Sequence, residues 1–233
     1  MFIAENLAQI IENINSTANK TSNIGEKISD RVKLVAVTKN HSVLAMEEAI
    51  AAGVMAIGEN RIQEAIDKAQ TLKTNVEWHL IGHLQTNKVR QAVSLFDMIQ
   101  SVDSERLAME INRAAGKIAK RQDVLIQINV ANEDTKFGIS AKDVMSLAQL
   151  ISNLEHVRLC GLMTVAPFYE NTELTRPIFR EMYQLFMKLR DAKLVNTKVE
   201  WLSMGMTKDY MVAVEEGSNL VRIGTGIFGQ RQY

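Results

Sequence analysis

The residue with the clearest chemical potential is a lysine placed directly after a strand-like run. Residues 32–37 (VKLVAV) are largely β-branched and apolar, and Thr38-Lys39-Asn40-His41 follows at once. A lysine in that position is ordinarily a solvated loop residue. At the mouth of an apolar barrel its ammonium is desolvated, which favours the neutral amine that attacks an aldehyde. The far end of the chain supplies a complement, since residues 222–229 read RIGTGIFG. The stretch GTGIFG formally matches the dinucleotide fingerprint, but that motif needs a following helix and an acidic residue about 20 positions on. Only four residues follow Gly229. What remains is a run of small residues after a strand, whose backbone N–H groups can wrap a phosphate. Ser203-Met204-Gly205-Met206, leading into a short helix over 207–216, offers a second such corner. A lysine after strand one and phosphate cradles after strands seven and eight would meet if the sheet closes. The ligand implied carries both an aldehyde and a phosphate.

Other candidates carry less. Asn60 and His79 project from strand ends, and Asn60 serves equally well as a helix cap. His79 and His83 stand four apart, but no cysteine or paired acid lies close enough in sequence to complete a zinc site, so no metal is expected. Cys160, the single cysteine, sits in an apolar run and reads as a buried, inert thiol in a reducing compartment. Lys136, after a strong strand, could approach a substrate carboxylate or be a surface residue.

The elements that would position these groups repeat along the chain. Short apolar runs at 32–37, 54–57, 76–81, 97–101, 124–130, 157–165, 199–202 and 220–223 read as strands. Helical patterns separate most of them. Ser42 caps a helix over 43–52 with Gly53 as its C′ residue. Asn60 with Gln63 opens one through Ala69, Asp103 caps one to Gly116, and Ser140 with Asp143 opens one to about Ile151. A long helix follows Pro177, and the first twenty residues form an extra amphipathic packing helix. Eight alternating units predict a parallel sheet, and eight strands close a barrel; an open doubly wound sheet is the rival. The expected architecture is therefore α/β, a single (β/α)8 TIM barrel domain over 1–233.

Composition excludes broad classes. Lys plus Arg and Asp plus Glu both total 27, leaving no positive footprint for a nucleic-acid backbone. Glu5 and Glu12 interrupt the first apolar helix, so neither a leader peptide nor a membrane span is expected, and the location read is cytoplasmic.

The stretches VAVTK (35–39), GEN (58–60), WHLIGHLQTNK (78–88), GLMTVAP (161–167), SMGM (203–206) and RIGTGIFG (222–229) resemble, in order, the signatures of the pyridoxal phosphate homeostasis protein family. That family is similar to the barrel domain of alanine racemases and the fold-type III decarboxylases that use pyridoxal 5′-phosphate (PLP). The resemblance implies PLP held as an internal aldimine on Lys39. It implies a phosphate at Ser203, Gly205, Gly224 and Thr225, with Met204 also among the cofactor-binding residues, Arg222 facing the pyridine nitrogen, and Asn60 and His79 around the ring. An arginine there leaves the ring a poor electron sink. The related racemases add a β-rich domain carrying an acid/base tyrosine, for which this sequence has no counterpart. The expected role is PLP binding in cofactor homeostasis and supply, without catalytic residues or robust turnover. The implied protein is a monomer, with PLP-dependent apoenzymes as recipients. The rivals are a PLP-dependent racemase or decarboxylase and a cofactor-free Schiff-base aldolase. The resemblance gives no role to Gln85, Asn87 or Lys88.

Overall fold

The computed structural model describes residues 2–20, 31–131, 133 and 136–229. Eight parallel strands close into a barrel in chain order: β1 (Lys33–Val37), β2 (Ala56–Glu59), β3 (Glu77–Leu80), β4 (Met98–Val102), β5 (Gln122–Ile128), β6 (Val157–Thr164), β7 (Thr197–Met206) and β8 (Leu220–Ile223). Closure comes from β1 pairing β2 on one side and β8 on the other, with Val35 opposite Arg222. The open-sheet rival is thereby excluded.

The helices are α1 (Phe2–Lys20), α2 (Val43–Ala51), α3 (Ile62–Thr71), α4 (Val89–Leu95), α5 (Glu105–Gly116), α6 (Val144–Ser152), α7 (Arg176–Asp191), α8 (Tyr210–Glu215) and the one-turn α9 (Thr225–Phe228). The side-chain period of two divides each strand between two cores. Ala36, Ile57, Trp78, Leu80, Ile99, Val124, Ile126, Leu202, Met204, Val221 and Ile223 pack outward against the helices. Val35, Ala56, Met98, Leu125, Cys160 and Leu220 fill the barrel interior in two small clusters that share Trp201. Leu7, Ile10 and Ile14 bury one face of α1. Asn6 Nδ2 donates to the Ile227 carbonyl and Asn13 Nδ2 to the Tyr210 hydroxyl, so α1 is bound to α9 and α8.

Several local expectations shift. Ser42 does cap α2, accepting from the Ala45 amide at 3.3 Å, and Gly53 follows with φ of 107°. Asn60 is not a helix cap, because α3 starts from Arg61 without a side-chain cap bond. The cap of α5 is Ser104 rather than Asp103. Ser140 and Asp143 make no capping box; a 3-10 turn, Ala141–Asp143, precedes α6 instead. The largest difference concerns 203–206, read as a loop but forming the end of β7. Ser203 and Met206 pair with Leu220 and Arg222 across an irregular register. Gly205 makes this continuation fit: its φ is 92°, and a Cβ there would lie 2.6 Å from Ala213 Cβ on α8.

Candidate functional site

A cavity of about 320 Å³ opens at the C-terminal ends of β1, β6, β7 and β8. Its size falls near the lower end of the roughly 300–1,000 Å³ usual for small-ligand sites. Val37, Ala166, Pro167 and Met206 give it apolar walls. Arg222, Gly224 and Thr225 line one side, and Thr207, Lys208 and Asp209 come from the exit of β7. The first N–H groups of a helix lack intrahelical partners. At α9 the Gly226 amide is satisfied by Thr207 Oγ1 at 3.2 Å, which ties the two strand exits together.

Lys39 lies two residues beyond Val37, in the turn that leaves β1. It is half-buried, and its amine makes no hydrogen bond or ion pair to the described residues. The turn itself is tightly anchored from outside the barrel. Lys68 Nζ donates to the Thr38 carbonyl at 2.6 Å, to Glu59 Oε1 at 2.6 Å and to Glu64 Oε1 at 2.7 Å. Thr38 Oγ1 donates to Glu59 Oε1 at 2.6 Å, and the Asn40 amide donates to Glu64 at 2.6 Å. Asn40 takes a positive φ of 62° within this clasp. Burial raises the Glu59 carboxyl above its usual range, against the pull of Lys68 and Thr38.

Arg222 is anchored differently. It is 3% exposed, and its guanidinium donates to Ser203 Oγ and, at 2.6 Å, to the Thr164 carbonyl. Burial lowers it to about 10, with Asp209 pulling the other way, so it remains a cation at neutral pH. Behind it, Ser203 Oγ donates to Gln100 Oε1 at 2.6 Å, and the Gln100 amide reaches His79 Nδ1 at 2.7 Å. His79 Nε2 lies 2.8 Å from Glu77 Oε1, and Glu77 also receives Lys33 Nζ. Burial holds His79 below the usual imidazole range.

The structure thus brings Arg222, Gly224 and Thr225 to the cavity wall, with Lys39 on the adjoining turn. It places Ser203, Met204 and Gly205 elsewhere: none lines the cavity. The Ser203 hydroxyl is committed inside the barrel, Met204 belongs to the outer core, and Gly205 packs on α8. His79 is fully buried below the mouth. Asn60 is half-buried at the exit of β2, where Gly82 passes so close that a Cβ would sit 2.4 Å from the Asn60 carbonyl. The two histidines diverge, since His83 stacks on Phe137 at 3.8 Å and faces Asp103. Gln85, Asn87 and Lys88 lie on the 3-10 turn ahead of α4 or at its edge. Lys136 pairs with Glu133 at 3.1 Å. Cys160 is buried, and burial pushes its thiol up to about 12, the inert thiol expected. Thr207 and Lys208 were missed because they follow what looked like a complete motif.

Comparison with known proteins agrees with this fold. The model of the family described as alanine racemase, N-terminal domain, matches residues 6–232. A pyridoxal phosphate homeostasis protein of Pasteurella multocida is 39% identical, aligned over 100% of this chain and 99% of its own length. The solved structure of PipY from Synechococcus elongatus with PLP bound is 35% identical, with a TM-score of 0.83 over 97% of this chain and 100% of that one. An alanine racemase of Clostridium difficile shares the fold at 18% identity, with a TM-score of 0.71 over 98% of this chain and 58% of that one.

Proposed function

This chain belongs to the pyridoxal phosphate homeostasis protein family, within the wider family of alanine racemase N-terminal domains, and from that membership we propose that it binds PLP at the barrel mouth, attached through Lys39, to hold and supply the cofactor rather than to turn over amino acids. The observation that carries the reading is the shared rim of β1 and β8. The turn after Val37 carries an amine with no partner among the described residues, and Val37 itself lines a cavity that holds a buried guanidinium and the start of a one-turn helix. That donor set suits a ligand with an aldehyde, an aromatic ring and an anionic tail.

When bound, PLP supplies an electrophilic carbonyl and a ring able to delocalise charge. The chain's own groups divide the remaining work. Lys39 offers the attacking nitrogen, oriented by the Lys68–Glu59–Glu64 clasp on its turn. Gly224 and Thr225, with Thr207 and Lys208 from the exit of β7, receive the phosphate through N–H and cationic donors. Ser203 and Gly205, expected in the same role, do not line the cavity. Asn60 borders the ring from the exit of β2, and His79 acts on it from a distance, through the bonds behind Arg222. Arg222 donates to the ring nitrogen and retains its own proton, so the ring stays a weak electron sink.

Residues 1–233 act in this reading as one monomeric, cytoplasmic PLP-binding unit serving PLP-dependent apoenzymes. No helix among the described residues is long and apolar enough to cross a membrane. PLP titration followed by dialysis, with α-deuterium exchange from a panel of amino acids, tests the proposal. One PLP retained per chain with background exchange is expected. Exchange at ordinary enzyme rates, about 1–1,000 s⁻¹, would establish the racemase or decarboxylase alternative.

A further inference from the structure

Arg222 is a buried cation with no carboxylate hydrogen-bonded to it among the described residues: its hydrogen bonds go to a serine hydroxyl and a backbone carbonyl. Removing a guanidinium from water without compensation costs several kcal/mol, on the order expected for any buried ion. Asp209, at the exit of β7, is the carboxylate whose charge acts on it, and a second hold lies across the barrel. The chain of bonds Arg222–Ser203–Gln100–His79–Glu77 crosses the interior from β8 to β7, β4 and β3, and ends where Lys33 of β1 meets Glu77.

Its direction is fixed from both ends. An arginine can only donate, and a carboxylate can only accept. Beginning at Arg222, Ser203 Oγ accepts and passes its own proton to Gln100 Oε1, which turns the Gln100 NH₂ toward His79 Nδ1. Beginning at Glu77, His79 Nε2 must donate. A neutral ring then has a bare Nδ1, which needs a donor and finds that same NH₂. The two readings agree. Every intervening dipole therefore presents its negative end to Arg222 and its positive end to Glu77, an alignment in which each bond polarises the next. Glu77 is only partly exposed, and burial, which would raise it, is overcome by His79 and Lys33, leaving it at about 2 and ionised.

We propose that Gln100 and His79, the latter held by Glu77, are positioning residues that fix the Arg222 guanidinium toward the ligand cavity. The claim about the ligand rests on the PLP reading given above; the claim about the relay does not. The groups facing His79 are Glu77 and Gln100, with Lys33 and Asp97 as the other charges that act on it. A positively charged His79 would set an Nδ1–H against the Gln100 NH₂ and force the amide to turn. Ser203 would then lose its acceptor.

Nitrogen-15 NMR of the histidine ring, on protein without PLP, tests the relay. At neutral pH His79 should show a bare Nδ1 and a protonated Nε2. In Gln100→Glu the ring lies between two carboxylates, and both nitrogens should carry protons. A protonated Nδ1 in the wild-type protein, or an unaltered ring in Gln100→Glu, would overturn the assignment. PLP titration of Gln100→Leu tests the positioning role. Dissociation should rise about tenfold, the scale of one net hydrogen bond, while the cofactor still bonds to Lys39. Gln100→Glu, which keeps the Ser203 acceptor, should retain more affinity than Gln100→Leu. Equal PLP affinity in wild type and Gln100→Leu, with only stability altered, would reduce the relay to a structural feature. Failure of wild-type protein to take up PLP would instead count against the functional reading, and the NMR result would still decide the relay.

Discussion

The turn that carries Lys39 and the strand that carries Arg222 are neighbours, since β1 pairs with β8, yet they are held from opposite sides of the barrel wall. Behind Lys39 the anchor is ionic, lies between strand and helix, and grips mainly backbone: the Thr38 carbonyl and the Asn40 amide are tied to Lys68 and Glu64. Behind Arg222 the anchor is a line of side chains through the interior, neutral between its charged ends. The proposed roles give the difference a reason. An amine that bonds to an aldehyde needs its own nitrogen uncommitted, so its backbone is held instead. A guanidinium that only donates is held by its own side chain, with the excess donors left for the ligand.

If this contrast is right, breaking the ionic anchor should cost the most stability. Lys68→Met leaves Glu59, with 0% exposure, as a buried carboxylate with only Thr38 beside it. The expected loss is about 3 kcal/mol in urea unfolding, the scale of a buried pair broken on one side. PLP attachment should slow at the same time. Gln100→Leu strands two buried polar groups and should cost about 2 kcal/mol. The reverse order would show that the interior line, not the outer clasp, is the stronger anchor.

Acid should separate the two regions next. Glu77 has a depressed pKa, so its contribution is present above the ordinary carboxylate range, near 4.5, and is lost as the pH falls toward about 2. Glu59 has a raised pKa and the opposite sign: its contribution is complete below the ordinary range and is lost as the pH rises through the folded value. The stability difference between wild type and Glu77→Gln should therefore shrink on acidification from pH 4.5 to 2. Its full size should be at most about 2 kcal/mol, because the site is partly exposed. A difference that stays constant over that window would remove Glu77 from the account.

The smallest effect is expected at Ser42, which caps α2 just past the lysine turn. Ser42→Ala should lower stability by about 1 kcal/mol or less in a thermal melt and leave PLP uptake unchanged, because the clasp on Thr38 and Asn40 does not pass through it.

The barrel was legible in the sequence because runs such as 34–37 (LVAV) are apolar on both faces, the mark of a parallel strand covered inside and out. The turn that carries Lys39 was legible as a strand exit because it follows such a run. The helix α4 escaped notice because at seven residues, preceded by a 3-10 turn, it shows too little periodicity. The motif 203–206 read as a phosphate loop because glycine usually ends a strand; here Gly205 continues it and makes room for α8. The interior line was hidden for a different reason. Gln100 and Ser203 are 103 residues apart, and only closure of the barrel brings them together. A local trace did exist: Glu77 and His79 alternate as polar residues within a strand that has to be buried.

The most direct test of the central claim is borohydride reduction of the PLP-loaded protein, followed by peptide mass mapping. The account predicts a single added pyridoxyl group, on Lys39, absent from Lys39→Ala while that variant keeps the wild-type unfolding midpoint. A label on Lys208, Lys136 or any other lysine of the wild-type protein, or one retained by folded Lys39→Ala, would contradict it.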